Sequence, residues 1–377
     1  NLTSIWNDIV TRKMYVTGAC GALYDGTSPD GTCYEPDSIQ KVHQSYGRPY
    51  QLPNSTAHNE TCANIGNMLF NWRMLEVTGD AKYAELVETC LYNSILSGIS
   101  LDGKKYFYTN PLRISADLPY TLRWPKERTE YISCFCCPPN TLRTLCQAQN
   151  YAYTLGSEGI YCNLYGANTL TTNWRDKGEI ALTQKTAYPW EGNVRVEFDR
   201  VPRKAGAFSL FLRIPEWCEK AMLTVNGEPV PVAAKANTYA EVKRTWKKGD
   251  VVEWVMDMPV RLLEAHPLAE EIRNQVVVKR GPLVYCLESM DMRGGGSIDN
   301  VLIPADIKLI PKKVTIEGSP VVALEGKARL ISSNSWEGIL YRPVSFAGKT
   351  VDIRLIPYYA WGNRGKGEMT VWMPLGR

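Results

Sequence analysis

The stretch "EYISCFCCPPNTLRTL" (residues 130–145) places Cys134, Cys136 and Cys137 within four residues, ahead of a double proline. Adjacent cysteines rarely pair with each other, because a vicinal disulfide strains its own geometry. Neighbouring thiols with a third two residues away suit soft-metal ligation, and zinc takes thiolates and carboxylates at about 2.0–2.3 Å in a tetrahedral shell. Two or three ligands do not close such a shell. The best further donors lie in "HNETCAN" (58–64), where Glu60 and Cys62 stand at a helix start and His58 just before it. The first residue of a Glu-x-Cys pair there is not yet helical, so both groups can point the same way. Two readings stand side by side. Glu60 could be a first-turn acid favoured by the helix dipole, with Cys62 in the core. Alternatively, E-x-C and C-x-C-C together hold a metal, and the combination favours this second reading. A shell of three thiolates and one carboxylate is net negative and a poor Lewis acid for carbonyl chemistry. It does keep a cysteine deprotonated and nucleophilic at neutral pH, which points to covalent catalysis by a thiolate.

These groups need elements to position them, and the chain changes character near residue 157. Before it, periodic segments predict helices over 2–13, 60–78, 81–99 and 138–156. In the second, Ile65, Met68, Leu69, Trp72 and Leu75 fall on one stripe, and "TGD" supplies a glycine stop and a capping aspartate. In the third, Leu86, Cys90, Leu91, Ile95 and Leu96 face inward; in the fourth, prolines suit the first turn. "LDGKKYFYTNPL" (101–112) predicts a hairpin around Asp102-Gly103. After Gly156, short alternating runs such as "NVRVEFDRV", "FSLFLRIPEW" and "NQVVVKRGPLVYCLE" predict antiparallel sandwiches. Their length asks for two, over 157–270 and 271–377, joined near 267–273. The glycines of "RGGGSID" follow no clear strand and open no helix, so they read as a loop rather than a phosphate cradle.

Bulk properties exclude several classes. The 377 residues are 44% hydrophobic and 22% charged, with a net charge of +4 from 43 basic and 39 acidic residues. That balance is too weak to argue for a nucleic-acid or anionic-membrane partner, and no apolar run approaches the ~20 residues of a membrane helix. The 11 cysteines are an odd number in a chain too large to need staples. Cys90, Cys146, Cys162, Cys218 and Cys286 sit in apolar patterns and are expected as buried, inert thiols. Thiol redox chemistry is a weak reading, since no C-x-x-C adjoins a βαβ unit.

"ETCA" (60–63), "LYNSILSGISLDGKKYFYTNPL" (91–112) and "CFCCPPN" (134–140), with "MYVTGACG" and "YQLPNSTAHNETC", resemble the zinc-dependent β-L-arabinofuranosidases of glycoside hydrolase family 127. "LRIPEWC", "VNGE" and "RGPLVYCLE" continue the resemblance through the strand-rich part. The resemblance implies an (α/α)6 barrel followed by β-sandwich domains, with 1–156 as the C-terminal half of that barrel. It implies retaining, exo-acting hydrolysis of plant cell-wall glycans through a thioglycosyl intermediate. Carried over by motif, the zinc ligands are Glu60, Cys62, Cys136 and Cys137, with Cys136 the nucleophile and Cys134 a bystander. Glu88 and Tyr108 match residues that contact the sugar.

Two departures stand out. The family's acid/base glutamate corresponds to Gln44 in "KVHQSYGRPYQLPN", and glutamine does not usefully donate or accept a proton. Another group could act, with His43 and His58 nearest in sequence; the substrate could help through its own carboxylate; or turnover of ordinary arabinofuranosides could be impaired. The family includes hydrolases of aceric acid, an acidic branched furanose of the pectin rhamnogalacturonan II, and the "HQSYGRPYQLPN" version resembles that branch. The chain also holds about half the helices such a barrel needs, so the barrel's N-terminal half is expected on another segment or chain. A homodimer and a periplasmic or cytoplasmic home are left open. The alternative function is a zinc-stabilised carbohydrate-binding or scaffold protein without turnover.

Overall fold

The computed structural model describes residues 1–24, 45–115, 122–174, 177–331, 338–343 and 347–376. His43 and Gln44 lie outside the described residues. The helical part contributes α1 (Leu2–Arg12), α2 (Thr61–Thr78), α3 (Ala81–Thr89) and α4 (Cys137–Gln147). Among the described residues these are too few to close an (α/α)6 barrel, and they leave Leu2, Ile5, Leu69, Val77 and Leu142 exposed. Helix α2 ends as the sequence predicts, on Gly79 at φ 72°, a conformation that glycine adopts without a Cβ penalty. Its buried stripe is more polar than expected. Leu69 faces solvent, while Asn64, Asn67 and Asn71 are buried and tie the irregular backbone around 18–20: Asn67 Nδ2 donates to Gly18 O at 3.0 Å and the Cys20 N–H to Asn64 Oδ1 at 3.1 Å.

Three predicted elements are corrected. The helix over 81–99 is α-helical only to Thr89, widens to a π-turn over Cys90–Ile95 and tightens to a 3-10 turn over Leu96–Gly98. Asn93 accounts for the widening. Its amide donates to Thr89 O and Pro282 O, at 2.9 and 3.0 Å, and accepts the Val284 N–H at 2.8 Å, so the helix docks on a strand of the last domain at the point where a side chain enters its ladder. The helix over 138–156 stops at Gln147; Tyr153–Leu155 is already a strand, paired with Gly159–Cys162. The segment 101–112 turns at Asp102-Gly103 as expected, but the turn is closed by a single antiparallel bridge, Ile99 with Tyr106, with no ladder extending from it. Ser100 Oγ and Asp102 Oδ1 accept the Lys105 and Lys104 N–H groups, and the Ser100 N–H donates across the turn to Lys105 O at 2.8 Å.

The middle domain is a sandwich of a four-stranded and a six-stranded sheet, closed over Trp174, Trp217, Trp254, Phe198 and Phe208. One of its pairings is parallel, Gly159–Cys162 beside Phe208–Ile214. The two strands approach so closely there that a Cβ on residue 159 would lie 1.9 Å from Ser209 O, which only glycine avoids.

The last domain begins with Val260–Glu264, which pairs with Gln275–Arg280; the change of sheet therefore precedes 267–273. Where two stacked antiparallel sheets were expected, the pairings run in a ring. Gln275–Arg280 pairs with Leu283–Met292, that strand with Gly348–Pro357, then Ser319–Ile331, Val301–Pro304 and Met373–Gly376, which returns to Gln275. The Val301–Pro304 to Met373–Gly376 pairing is parallel and seals the edges. Val276, Val278, Tyr285 and Leu287 face the ring's interior; Val277, Val284 and Cys286 face the helical part, together with Tyr15, Phe107 and Leu112. Strands buried on both faces read as unbroken apolar runs, as "QVVV" and "LVYCL" do. The loop at 293–297 holds Gly294, Gly295 and Gly296 at positive φ. Cys90, Cys162, Cys218 and Cys286 are buried as expected, but Cys146 is exposed on α4, because the apolar face of that helix is turned by the docking of Thr141 and Thr144 instead. Among the described residues no helix is long and apolar enough to cross a membrane.

Candidate metal and catalytic site

Two backbone segments build the site. In the first, Asn59 takes a left-handed φ of 40° and Glu60 is extended, at φ −57° and ψ 138°, just before α2. Residues 107–110 run alongside and hold it: the Thr61 N–H donates to Tyr108 O at 3.0 Å, and Asn110 Nδ2 to Asn59 O and Thr61 Oγ1, both at 3.0 Å. This places the Glu60 and Cys62 side chains on one side, as the Glu-x-Cys spacing suggested. In the second segment Cys136 caps α4 and Cys137 is its first residue, followed by two prolines that bring no N–H to the first turn. The positive end of α4 therefore lies at both sulfurs and favours thiolates.

The two segments bring Glu60, Cys62, Cys136 and Cys137 together, with one ligand atom of each within 4.8 Å of the others. Cys62 Sγ lies 3.5 Å from Cys137 Sγ, and Cys136 Sγ 3.7 Å from Cys137 Sγ. Glu60 Oε1 is 3.5 Å from Cys136 Sγ and 3.6 Å from Cys137 Sγ. These separations are far beyond a disulfide, whose sulfurs stand ~2.05 Å apart. They match the edges of a tetrahedron with Zn–S of about 2.3 Å and Zn–O of about 2.0–2.2 Å, which come to ~3.7 and ~3.5 Å. Glu60 is buried, and its Oε2 has no hydrogen-bond partner. A buried carboxylate among three sulfurs calls for a counter-charge, so the four residues could hold a metal ion and fit zinc.

Protonation of the bare sulfurs points the same way. Hydrogen bonding with Cys137 chiefly holds the Cys62 thiol down to about 7, against burial and with help from Asn140. Burial pushes Cys136 up to about 12, and Cys137 is pushed up further by its hydrogen bond with Cys62 and by burial. Burial thus works against ionising Cys136 and Cys137, and a bound cation would favour their thiolates.

Among the other expected residues, Tyr108 and His58 join the cluster. The Cys136 thiol donates to Tyr108 Oη at 3.7 Å, and burial raises the tyrosine hydroxyl well above its ordinary value, so it stays protonated. His58 Nε2 is 4.0 Å from Glu60 Oε2. Four rings stack in series, Tyr24 on His58, His58 on Tyr108 and Tyr108 on Trp124, with centroids 4.6, 6.0 and 3.7 Å apart. Cys134 stands outside the four-residue group, with its sulfur 3.9 Å from Cys136 Sγ. Glu88 is not brought to the cluster by its contacts. It is wholly buried, and its Oε1 meets Arg213 Nη2 at 2.6 Å and accepts from the Tyr188 hydroxyl at 2.7 Å; Glu85 holds the other side of the same guanidinium, also at 2.6 Å. Two contributors went unread in the sequence. Trp124 belongs to no periodic element. Asn140 donates from Nδ2 to Cys62 Sγ at 3.0 Å, and its only signal was its place right after the double proline.

Three family profiles match in series. Residues 1–150 match the beta-L-arabinofuranosidase GH127 catalytic domain, 159–258 the GH127 middle domain and 260–374 the glycoside hydrolase family 127 C-terminal domain. A "Non-reducing end beta-L-arabinofuranosidase" of Bifidobacterium longum subsp. longum is 31% identical over 97% of this chain and 54% of its own length. A solved "Glycoside hydrolase" superposes with a TM-score of 0.95 at 90% identity, over 100% of this chain and 62% of its own. A GH127 beta-L-arabinofuranosidase from Geobacillus stearothermophilus T6 follows at 0.87 and 36%, over 98% and 56%. The chain thus spans little more than half the length of the relatives it matches.

Proposed function

The chain belongs to the GH127 β-L-arabinofuranosidase family, and on that premise we propose that the protein is a retaining, exo-acting glycoside hydrolase of plant cell-wall furanosides with Cys136 as nucleophile. The observation that carries the reading is the group of Glu60, Cys62, Cys136 and Cys137 at tetrahedral spacing, in which Cys137 is 1% exposed while Cys136 is half-buried and reachable. Zinc held by these four residues would keep Cys136 a thiolate at neutral pH. The Cys136 sulfur attacks the anomeric carbon; the C–O bond to the leaving group breaks, and the leaving oxygen takes a proton. Water then attacks the same carbon, the C–S bond breaks, the thiolate is restored and the water's proton is lost. Two inversions give retention. Tyr108 Oη donates to the thiolate when it is free, and His58 backs Glu60.

The test uses the full-length protein. We expect one zinc per chain, release of L-arabinose from β-L-arabinofuranosides, loss of turnover in Cys136→Ala and a sugar trapped on Cys136 in mass spectrometry. Zinc binding with no turnover on any arabinan or pectic oligosaccharide would make the site structural. Gln44 favours a second reading: a substrate that carries its own carboxyl, such as aceric acid of rhamnogalacturonan II, would supply the proton that glutamine cannot. Activity on rhamnogalacturonan II fragments supports it. A large gain on aryl arabinofuranosides in Gln44→Glu, with none on the acidic sugar, counts against it.

A further inference from the structure

The three sulfurs of the cluster are not equivalent. Cys137 is sealed in, at 1% exposure. Cys136 is surrounded by the Glu60 carboxylate, the Tyr108 hydroxyl and other sulfurs. Cys62 alone among the described residues of the cluster receives a side-chain amide, Asn140 Nδ2 at 3.0 Å. The orientation of that amide is fixed by its other end. Arg143 Nη2 donates to Asn140 Oδ1, and a guanidinium has donors and no acceptor, so the oxygen must face it and the NH2 must face Cys62. The backbone holds the residue in place: the Asn140 N–H donates to Cys136 O at 3.2 Å and the Thr144 hydroxyl to Asn140 O at 2.8 Å. The same turn of α4 that carries Cys136 and Cys137 therefore aims a donor at Cys62.

A donor on a thiolate withdraws electron density from sulfur; a thiolate stabilised in this way is a weaker nucleophile. We propose that Asn140, oriented by Arg143, is a positioning residue that hydrogen-bonds the Cys62 thiolate and fixes Cys62 as a ligand of the cluster. This rests on the hydrolase reading above and adds what holds Cys62 in the set.

The experiment replaces zinc with cobalt(II) in the full-length protein and records the thiolate-to-cobalt charge-transfer band. Asn140→Ala is expected to move that band to lower energy, to weaken zinc by roughly 10- to 100-fold in chelator competition, and to add Cys62 to the sites alkylated by iodoacetamide beside Cys136. Arg143→Ala lies on the exposed face of α4, keeps the fold, and should shift the band in the same direction by less. An unchanged band and alkylation pattern in both variants overturns the proposal. A wild-type protein that takes up no cobalt, or shows no thiolate band, overturns both readings. A shifted band without turnover in the wild type defeats the hydrolase reading and still supports the Asn140–Cys62 bond.

Discussion

At the scale of single residues, the site was legible where residue type alone carries the chemistry. Cysteines in C-x-C-C and the pair in E-x-C have few uses besides ligation once they share a fold, and the structure brings Glu60, Cys62, Cys136 and Cys137 together. Removing one residue of the proposed zinc site should show directly: Glu60→Gln is expected to lower zinc affinity by at least ~10-fold, read by metal content after dialysis against a weak chelator. The ion pair of Glu88 was not legible, because an acid on a helix looks the same whether it meets sugar, solvent or an arginine far along the chain. Its partner, Arg213, lies in the sandwich and is wholly buried between two carboxylates. Arg213→Ala strands both of them, and breaking a buried pair from one side costs about 3–5 kcal/mol; a urea titration should show the loss, whereas replacing Glu88 by Gln keeps one carboxylate for the guanidinium and should cost less. Asn140 was hidden for a related reason: its value depends on which atom faces Cys62, and that is set by Arg143 one turn on.

At the scale of elements, periodicity located α2 and most of the strands, and it failed where a side chain overrides the backbone. The run from residue 81 is helical by pattern throughout, yet Asn93 opens it into a π-turn by bonding Thr89 O, Pro282 O and the Val284 N–H. Nothing in the local pattern announces a partner on a strand near residue 284. Asn93→Ala leaves a buried N–H and carbonyls without that amide, at about 1–3 kcal/mol, and hydrogen exchange at Val284 should accelerate with it. Much of the sandwich was readable from alternation, because strands such as Asn193–Arg200 and Val251–Met256 bury every second residue. The ring of the last domain was not, since Gln275–Arg280 and most of Leu283–Met292 are buried on both sides and carry no alternation to assign a face, although Gly348–Pro357 does alternate.

At the scale of the whole molecule, the three domains meet through buried polar groups as well as apolar ones. Arg128 is buried and donates to Ser97 O, Tyr359 O and Trp361 O, with its guanidinium over the Phe107 ring at 4.3 Å, so the loop that leads to the cysteine cluster is fastened to the last domain. On the outer side, Arg261 meets Glu216 across the middle and last domains at 3.1 and 3.3 Å. Burial raises the Glu216 carboxyl, but the Arg261 hydrogen bonds outweigh it and leave the group below 4.5. A carboxyl held low in the folded state stabilises above its unfolded value, and that contribution fades as pH falls through and below about 4.5. The pair is partly exposed, so it is worth roughly 0–1 kcal/mol; Arg261→Met should lower the melting temperature slightly at neutral pH and leave it unchanged near pH 3. The ring of strands has a consequence in time. Met373–Gly376 lies between Gln275–Arg280 and Val301–Pro304, so the ring has an open gap until residues 373–376 have left the ribosome. Synthesis runs at about 5–20 residues per second, and for the seconds between, the nascent domain presents one free edge of Val301–Pro304 and the uncovered Gln275–Val276 end of the strand opposite.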